Sequence, residues 1–195
     1  MTKCRTTVSA LATALLLAAG PASGQVVAER SAAETEPPFG GPENVAYAGA
    51  LWLALVDARL AGGERLLAKP YAGREPHGSV LVLLEGTVEA GGHKGLAIVK
   101  RNYLAEGLTV GDVANDPSGN LDSVTVMFRR EAGYDPDTLN WFWAKYGPEG
   151  ELATTPDGTP LAGRVAKGAA EGCIACHAEA PGGDYVFSHD RVAGQ

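Results

Sequence analysis

Leu96-Ala97-Ile98-Val99-Lys100-Arg101-Asn102-Tyr103 decides how the rest of the chain is read. Four apolar residues in succession, two of them β-branched, follow the turn-forming Gly91-Gly92 and Gly95, which predicts a strand entered from a turn. Alternate residues of a strand share a face, so Leu96, Ile98 and Lys100 point the same way. A lysine in phase with apolar neighbours is costly to bury without a partner. Two reliefs are open: its stem can run along apolar surface until the ammonium reaches water, or reaction with a bound group can remove the charge.

The neighbouring segments extend the strand pattern. Ser79 to Leu84 is β-branched and leucine-rich. Asp122 to Arg130 alternates Val124, Val126 and Phe128 with Thr125 and Met127, and Asn140 to Tyr146 is strongly aromatic. Loops rich in Gly, Asp, Asn and Pro separate them. Ahead of the strands, Val45, Ala48, Leu51, Trp52, Leu55 and Leu60 recur at helical spacing, with Pro42 suited to a first turn and Gly62-Gly63 to a stop. Such a stripe is a buried face. A short helical pattern is expected over residues 164–172. The predicted fold class is α+β, a mainly antiparallel sheet flanked by a few helices, with no internal repeat.

After the strands comes Cys173-Ile174-Ala175-Cys176-His177, which has the C-x-x-C-H spacing of a c-type haem attachment site. Two thiols three positions apart can form thioethers with the vinyl groups on one edge of a porphyrin. The following histidine offers a neutral imidazole to the iron. A structural zinc site would need a second Cys/His pair, and the chain has none. A thioredoxin-like redox pair would expect a βαβ context and leave His177 unexplained. The cofactor expected is therefore one covalent haem c near the C-terminus, with Cys173 and Cys176 as thioethers and His177 as axial iron ligand.

Residues 1–24 read as a cleavable export signal: Lys3 and Arg5, an apolar run from Val8 to Ala19, then Ala22-Ser23-Gly24. That run is short of the about 20 residues needed to span a bilayer. Cys4 would leave with the signal, so the two cysteines that remain of three both belong to the haem motif. The expected location is the periplasm, without stable membrane insertion. Residues 25–41, rich in Ala, Glu, Pro and Gly, are expected to form a flexible lead-in, and residues 42–195 a single haem domain. Removing Lys3 and Arg5 leaves 14 basic residues against 23 acidic ones, a net charge of −9. Such acidity argues against nucleic acid and anionic lipid as partners. It would suit a small neutral or cationic ligand or a basic redox partner, although acidic surfaces more often serve solubility alone; a homodimer stays open.

The position opposite His177 decides between electron transfer, ligand binding and ligand activation. Met127, His77, His93 and His189 could fill it. Met127 reads as a packing residue in its strand, His77 as part of a Pro76-His77-Gly78 turn, and His93 as solvent-exposed. His189 shares the short terminal segment with the motif. Glu131, Asp135, Asp137, Glu149 and Glu151 flank the aromatic strand as candidate bases, each with the alternative of a solvated surface acid. Trp141, Phe142, Trp143 and Tyr146 are candidate pocket walls or core, with Phe128 and Phe187 beside them. A late motif without a downstream methionine excludes the small helical electron-transfer cytochromes c. A preceding chain of strands excludes the four-helix cytochromes c′.

The chain resembles the cytochrome P-460 family, which includes the β-sheet cytochromes c′-beta. The resemblance is carried by Pro76-His77-Gly78, Gly95-Leu-Ala-Ile-Val-Lys100, Thr125-Val-Met-Phe128, Gly133-Tyr-Asp-Pro136, Asn140-Trp-Phe-Trp-Ala-Lys-Tyr146, the haem motif and Asp184-Tyr-Val-Phe-Ser188, in that order. It implies an open, five-coordinate iron. It further implies that Lys100 occupies the position of the lysine that cross-links to the haem in hydroxylamine-oxidising members. The functions it implies are oxidation of hydroxylamine to nitrous oxide or nitric oxide, or, in members without the cross-link, nitric oxide binding or electron transfer with a partner cytochrome.

Overall fold

The computed structural model describes residues 37–62 and 68–187. The expected export signal, the first part of the lead-in, Gly63, Ser188 and His189 lie outside the described residues. Six strands form one antiparallel meander in chain order: β1 (Tyr71–Ala72), β2 (Val80–Ala90), β3 (His93–Tyr103), β4 (Ser123–Arg129), β5 (Trp141–Tyr146) and β6 (Ala162–Gly163). Helix α1 (Pro42–Asp57) precedes them, α2 (Val110–Asn115) bridges β3 and β4, and α3 (Cys173–His177) follows β6. The α+β expectation, an antiparallel sheet with a few helices, is met.

Each predicted strand is present, and two are longer than the apolar runs suggested. β2 continues through Glu85-Gly86-Thr87-Val88-Glu89-Ala90, and β3 begins at His93, so that Gly91 and Gly92 alone make the hairpin, both with positive φ. Such two-residue loops match the twist of the paired strands. Gly95 is not a turn residue: it lies inside β3, where a Cβ would come within 2.1 Å of the Arg129 carbonyl oxygen. A side chain there would force β3 and β4 apart.

The predicted apolar stripe of α1 packs on one face of the sheet through Ala48, Leu51 and Leu55, all fully buried. Each leucine contributes about 1.5–3 kcal/mol by leaving water. The helix ends at Asp57, and Leu60 then folds back into the same core from the loop. Against them stand Val82, Leu84, Val99, Val124, Val126, Phe128, Phe142 and Ala144. Tyr146 joins this face as well, its hydroxyl donating to the Ala48 carbonyl at 2.8 Å. Arg101, buried on the same face, donates to the Gly62 carbonyl at 2.7 Å and fixes the loop that leaves α1.

The sheet's outer strands are two residues long, which leaves little unpaired edge. At the β6 edge the end of the expected lead-in adds a bridge between Phe39 and Gly163, and Gly40 donates to the Ala162 carbonyl at 2.7 Å. Residues 164–172 do not form the expected helix. Ala166 and Gly168 have φ of 60° and 78°, left-handed values that interrupt a right-handed helix, and the segment runs as turns. The helix is the motif itself. Gly172 caps it at φ 120°, where a Cβ would come within 2.5 Å of the Ala166 Cβ, so glycine is required for the chain to turn into α3.

Candidate functional site

The face of the sheet opposite α1 is organised in rows set by register. One row runs Leu83, Lys100, Thr125, Lys145 across β2 to β5, and the next runs Glu85, Ile98, Met127, Trp143. A third carries Leu81, Asn102 and Ser123. A cavity of about 270 Å³ lies over the first two rows. Ile98, Met127, Trp143, Leu161 and Val165 give it apolar walls, and Cys173, Cys176 and His177 face it from α3. The sequence-predicted residues Lys100, Cys173, Cys176 and His177 are thus brought to a single cavity, although 73 positions separate Lys100 from Cys173.

The two thiols stand three positions apart on one short helix, which puts them on the same side of a single turn. Burial pushes the Cys173 thiol above its ordinary value. His177 Nδ1 lies 2.7 Å from the Tyr185 carbonyl oxygen. A carbonyl can only accept, so the proton is on Nδ1 and the lone pair is on Nε2. Burial, with the charge of Lys100 adding to it, lowers the His177 pKa to about 4 against the hydrogen bond to Tyr185, so the imidazole is neutral near pH 7. A neutral imidazole anchored through one nitrogen is the arrangement of a metal-ligating histidine. Trp143 and Phe187 stand edge-on to it, with ring centroids 4.9 and 5.3 Å away.

Lys100 is 7% exposed, with Nζ 5.9 Å from the centroid of the Phe187 ring. It shares the cavity with Ile98, as the alternation required, whereas Leu96 on the same side lies further along the strand and is exposed. The candidates for the position opposite His177 separate clearly. Met127 and His77 line the cavity, and the His77 ring stands 6.0 Å from that of His177. Burial, then the charges of Lys100 and His177, lower the His77 pKa to about 4. His93 is half-buried rather than fully exposed: it packs edge-on against Phe128 at 6.1 Å on the side of α1 and does not line the cavity.

Of the expected walls, Trp143 lines the cavity and Trp141 belongs to the same apolar cluster, while Phe142, Tyr146 and Phe128 belong to the α1 core. Strand parity explains the split, since β5 sends alternate aromatics to opposite faces. None of Glu131, Asp135, Asp137, Glu149 and Glu151 lines the cavity. Asp135 is buried elsewhere, against Lys167 and Thr138. Lys145 and Thr125 are cavity residues that the strand pattern alone could have found, since they share faces with Trp143 and Met127. The Tyr185 carbonyl could not be found that way, because a backbone acceptor leaves no mark in sequence.

The residues present fit a c-type haem. Two thiols on one turn can hold a porphyrin edge, an oriented Nε2 can bind its iron, and the apolar walls suit the flat faces of the ring. No helix among the described residues is long and apolar enough to cross a membrane. A protein-family model described as Cytochrome P460 matches residues 71–188 of the chain. No curated protein and no solved structure gives a significant match.

Proposed function

Because the chain belongs to the cytochrome P460 family of haem-binding cytochromes, we propose that it is a periplasmic mono-haem cytochrome c that oxidises hydroxylamine. In this reading residues 1–24 export it, Cys173 and Cys176 hold the haem by thioethers, and His177 Nε2 is the axial ligand. The observation that carries the enzymatic reading is Lys100: a buried lysine on the wall of the cavity that the haem motif faces. Its match to the cross-linking lysine of hydroxylamine-oxidising members supports a second covalent bond to the haem there.

When bound, the haem supplies a redox-active iron. The chain supplies the rest. His177, anchored by Tyr185 through Nδ1, would hold the iron through Nε2. Ile98, Met127 and Trp143 exclude water around it. His77, neutral and on the cavity wall, is a polar group to which a bound ligand could hydrogen-bond. Electrons leave to an external acceptor, for which a partner cytochrome is the proposed class.

A second reading, a haem protein that binds nitric oxide or passes electrons without turnover, is favoured by one observation. No carboxylate is among the described residues that line the cavity, so none of the acidic residues expected as a distal base is on its wall. Optical spectra of the purified ferrous protein separate the two. The enzymatic reading expects a red-shifted Soret band, a haem-bearing peptide that includes Lys100, and hydroxylamine turnover that Lys100→Leu abolishes along with the band. An ordinary c-type spectrum with an unmodified Lys100 peptide and no turnover would leave the second reading.

A further inference from the structure

We propose that Tyr185 is the positioning residue of the proposed axial ligand: its backbone sets the orientation and donor strength of His177, and its side chain ties that backbone to the turn between β4 and β5. Tyr185 adopts φ 68°, a left-handed conformation that a bulky side chain rarely takes. Its carbonyl oxygen accepts from His177 Nδ1 at 2.7 Å. A conformation of this kind persists only where the surroundings over-determine it, and here they do so from three sides. Trp141 Nε1 donates to the carbonyl of the preceding residue, Asp184, at 2.9 Å. The amide of the following residue, Val186, donates to the Asp184 carboxylate at 2.9 Å. The Tyr185 hydroxyl donates to the Asp137 carbonyl at 3.1 Å.

That last contact lands on a rigid support. Asp137 lies in the 3₁₀ turn Pro136–Thr138. Lys167 pairs with the buried Asp135 carboxylate and, at 3.2 Å, with that of Asp137. Thr138 Oγ1 donates to Asp135 at 2.7 Å, and the Asp135 amide donates to Asn140 Oδ1 at 3.0 Å. A chain of contacts thus leads from Lys167 through the turn and Tyr185 to the imidazole. A hydrogen bond donated by Nδ1 raises the basicity of the ligating Nε2. A more basic imidazole favours the ferric over the ferrous iron, so the chain as folded holds the reduction potential down.

The inference rests on the haem assignment above, and the test uses the holoprotein. Tyr185→Phe removes one hydroxyl and keeps the ring. It is expected to lower the iron–histidine stretching frequency in the ferrous resonance Raman spectrum. It should also raise the reduction potential, shifting the ferrous/ferric ratio severalfold at a fixed electrode potential. Lys167→Gln should move both readouts the same way by less. Thr155→Ala, which loosens a distant loop, should lower the melting temperature and move neither. A Tyr185→Phe protein that melts earlier but keeps the wild-type stretching band and potential would overturn the proposal, because a merely structural role predicts that result. Should Tyr185→Phe fail to load haem, an unchanged band and potential in Lys167→Gln overturns it in the same way. Wild-type protein without covalent haem on a denaturing gel would instead remove the haem assignment, which distinguishes that failure from this one.

Discussion

The two faces of the central strands are built on the same backbone and differ in almost everything else. Along β4, Val124, Val126 and Phe128 meet the helix side, while Thr125 and Met127 meet the cavity. The helix side is filled with apolar side chains, and the charge buried there among the described residues, Arg101, is tied to a backbone carbonyl. The cavity side buries Lys100, Asn102 and Ser123, groups whose removal from water costs stability. One face is built to hold the sheet together. The other carries a cavity and buried polarity, and such local departures from a uniform core gather at functional sites.

The sharpest test of that division is to remove the proposed haem attachment without touching the sheet. The Cys173→Ser, Cys176→Ser double variant is expected to lose covalent haem entirely, seen as loss of peroxidase staining on a denaturing gel. The far-ultraviolet circular dichroism of the sheet should persist. Loss of the sheet signal in that variant would mean that the two faces are not separable. The converse change is Leu55→Ala, a cavity on the helix side. It should lower unfolding free energy by about 2–5 kcal/mol in denaturant titration, with the haem spectrum unchanged below the transition. Gly95→Ala acts on the backbone shared by both faces. The added methyl meets the Arg129 carbonyl, and the expected cost is about 1–3 kcal/mol, with a perturbed haem spectrum as well, because β3 carries Lys100. The smallest change is Thr109→Ala, which removes the capping box of α2, where Thr109 and Asp112 bond reciprocally. That loss should come to about 1 kcal/mol in thermal or denaturant unfolding, without any effect at the cavity.

What could be read from sequence follows the strength of the underlying signal. The strands around Val99, Val126 and Trp143 were legible because alternation and β-branching both pointed to them. Strand ends were less so: Glu85 to Ala90 extends β2 although its apolar pattern is diluted, since pairing with β3 through a two-residue hairpin holds it. The segment 164–172 was misread because its apolar spacing suits a helix, whereas Ala166 takes a left-handed conformation that spacing does not reveal. At the site, the thiols and His177 were legible from chemistry alone. Their meeting with Lys100 required the register, and the roles of Tyr185 and the Asp137 carbonyl required the backbone.

Lys100 and Cys173 face one cavity from opposite ends of a long stretch of chain, and this has a consequence for the unfolded state. With Lys100 bonded to the haem as proposed, the thioether of Cys173 and the lysine bond would close a covalent loop of 73 residues (173 minus 100). Loop closure of that length removes unfolded-chain entropy worth about 4 kcal/mol, on the scale established for disulfides. The pairing of β4 with β5, and that of β4 with β3 from Lys100 to Asn102, would then lie within the loop. The haem would act as a staple for a chain whose only cysteine outside the haem motif lies in its expected signal, and Lys100→Leu would lower the denaturant midpoint even if it left the folded structure unaltered.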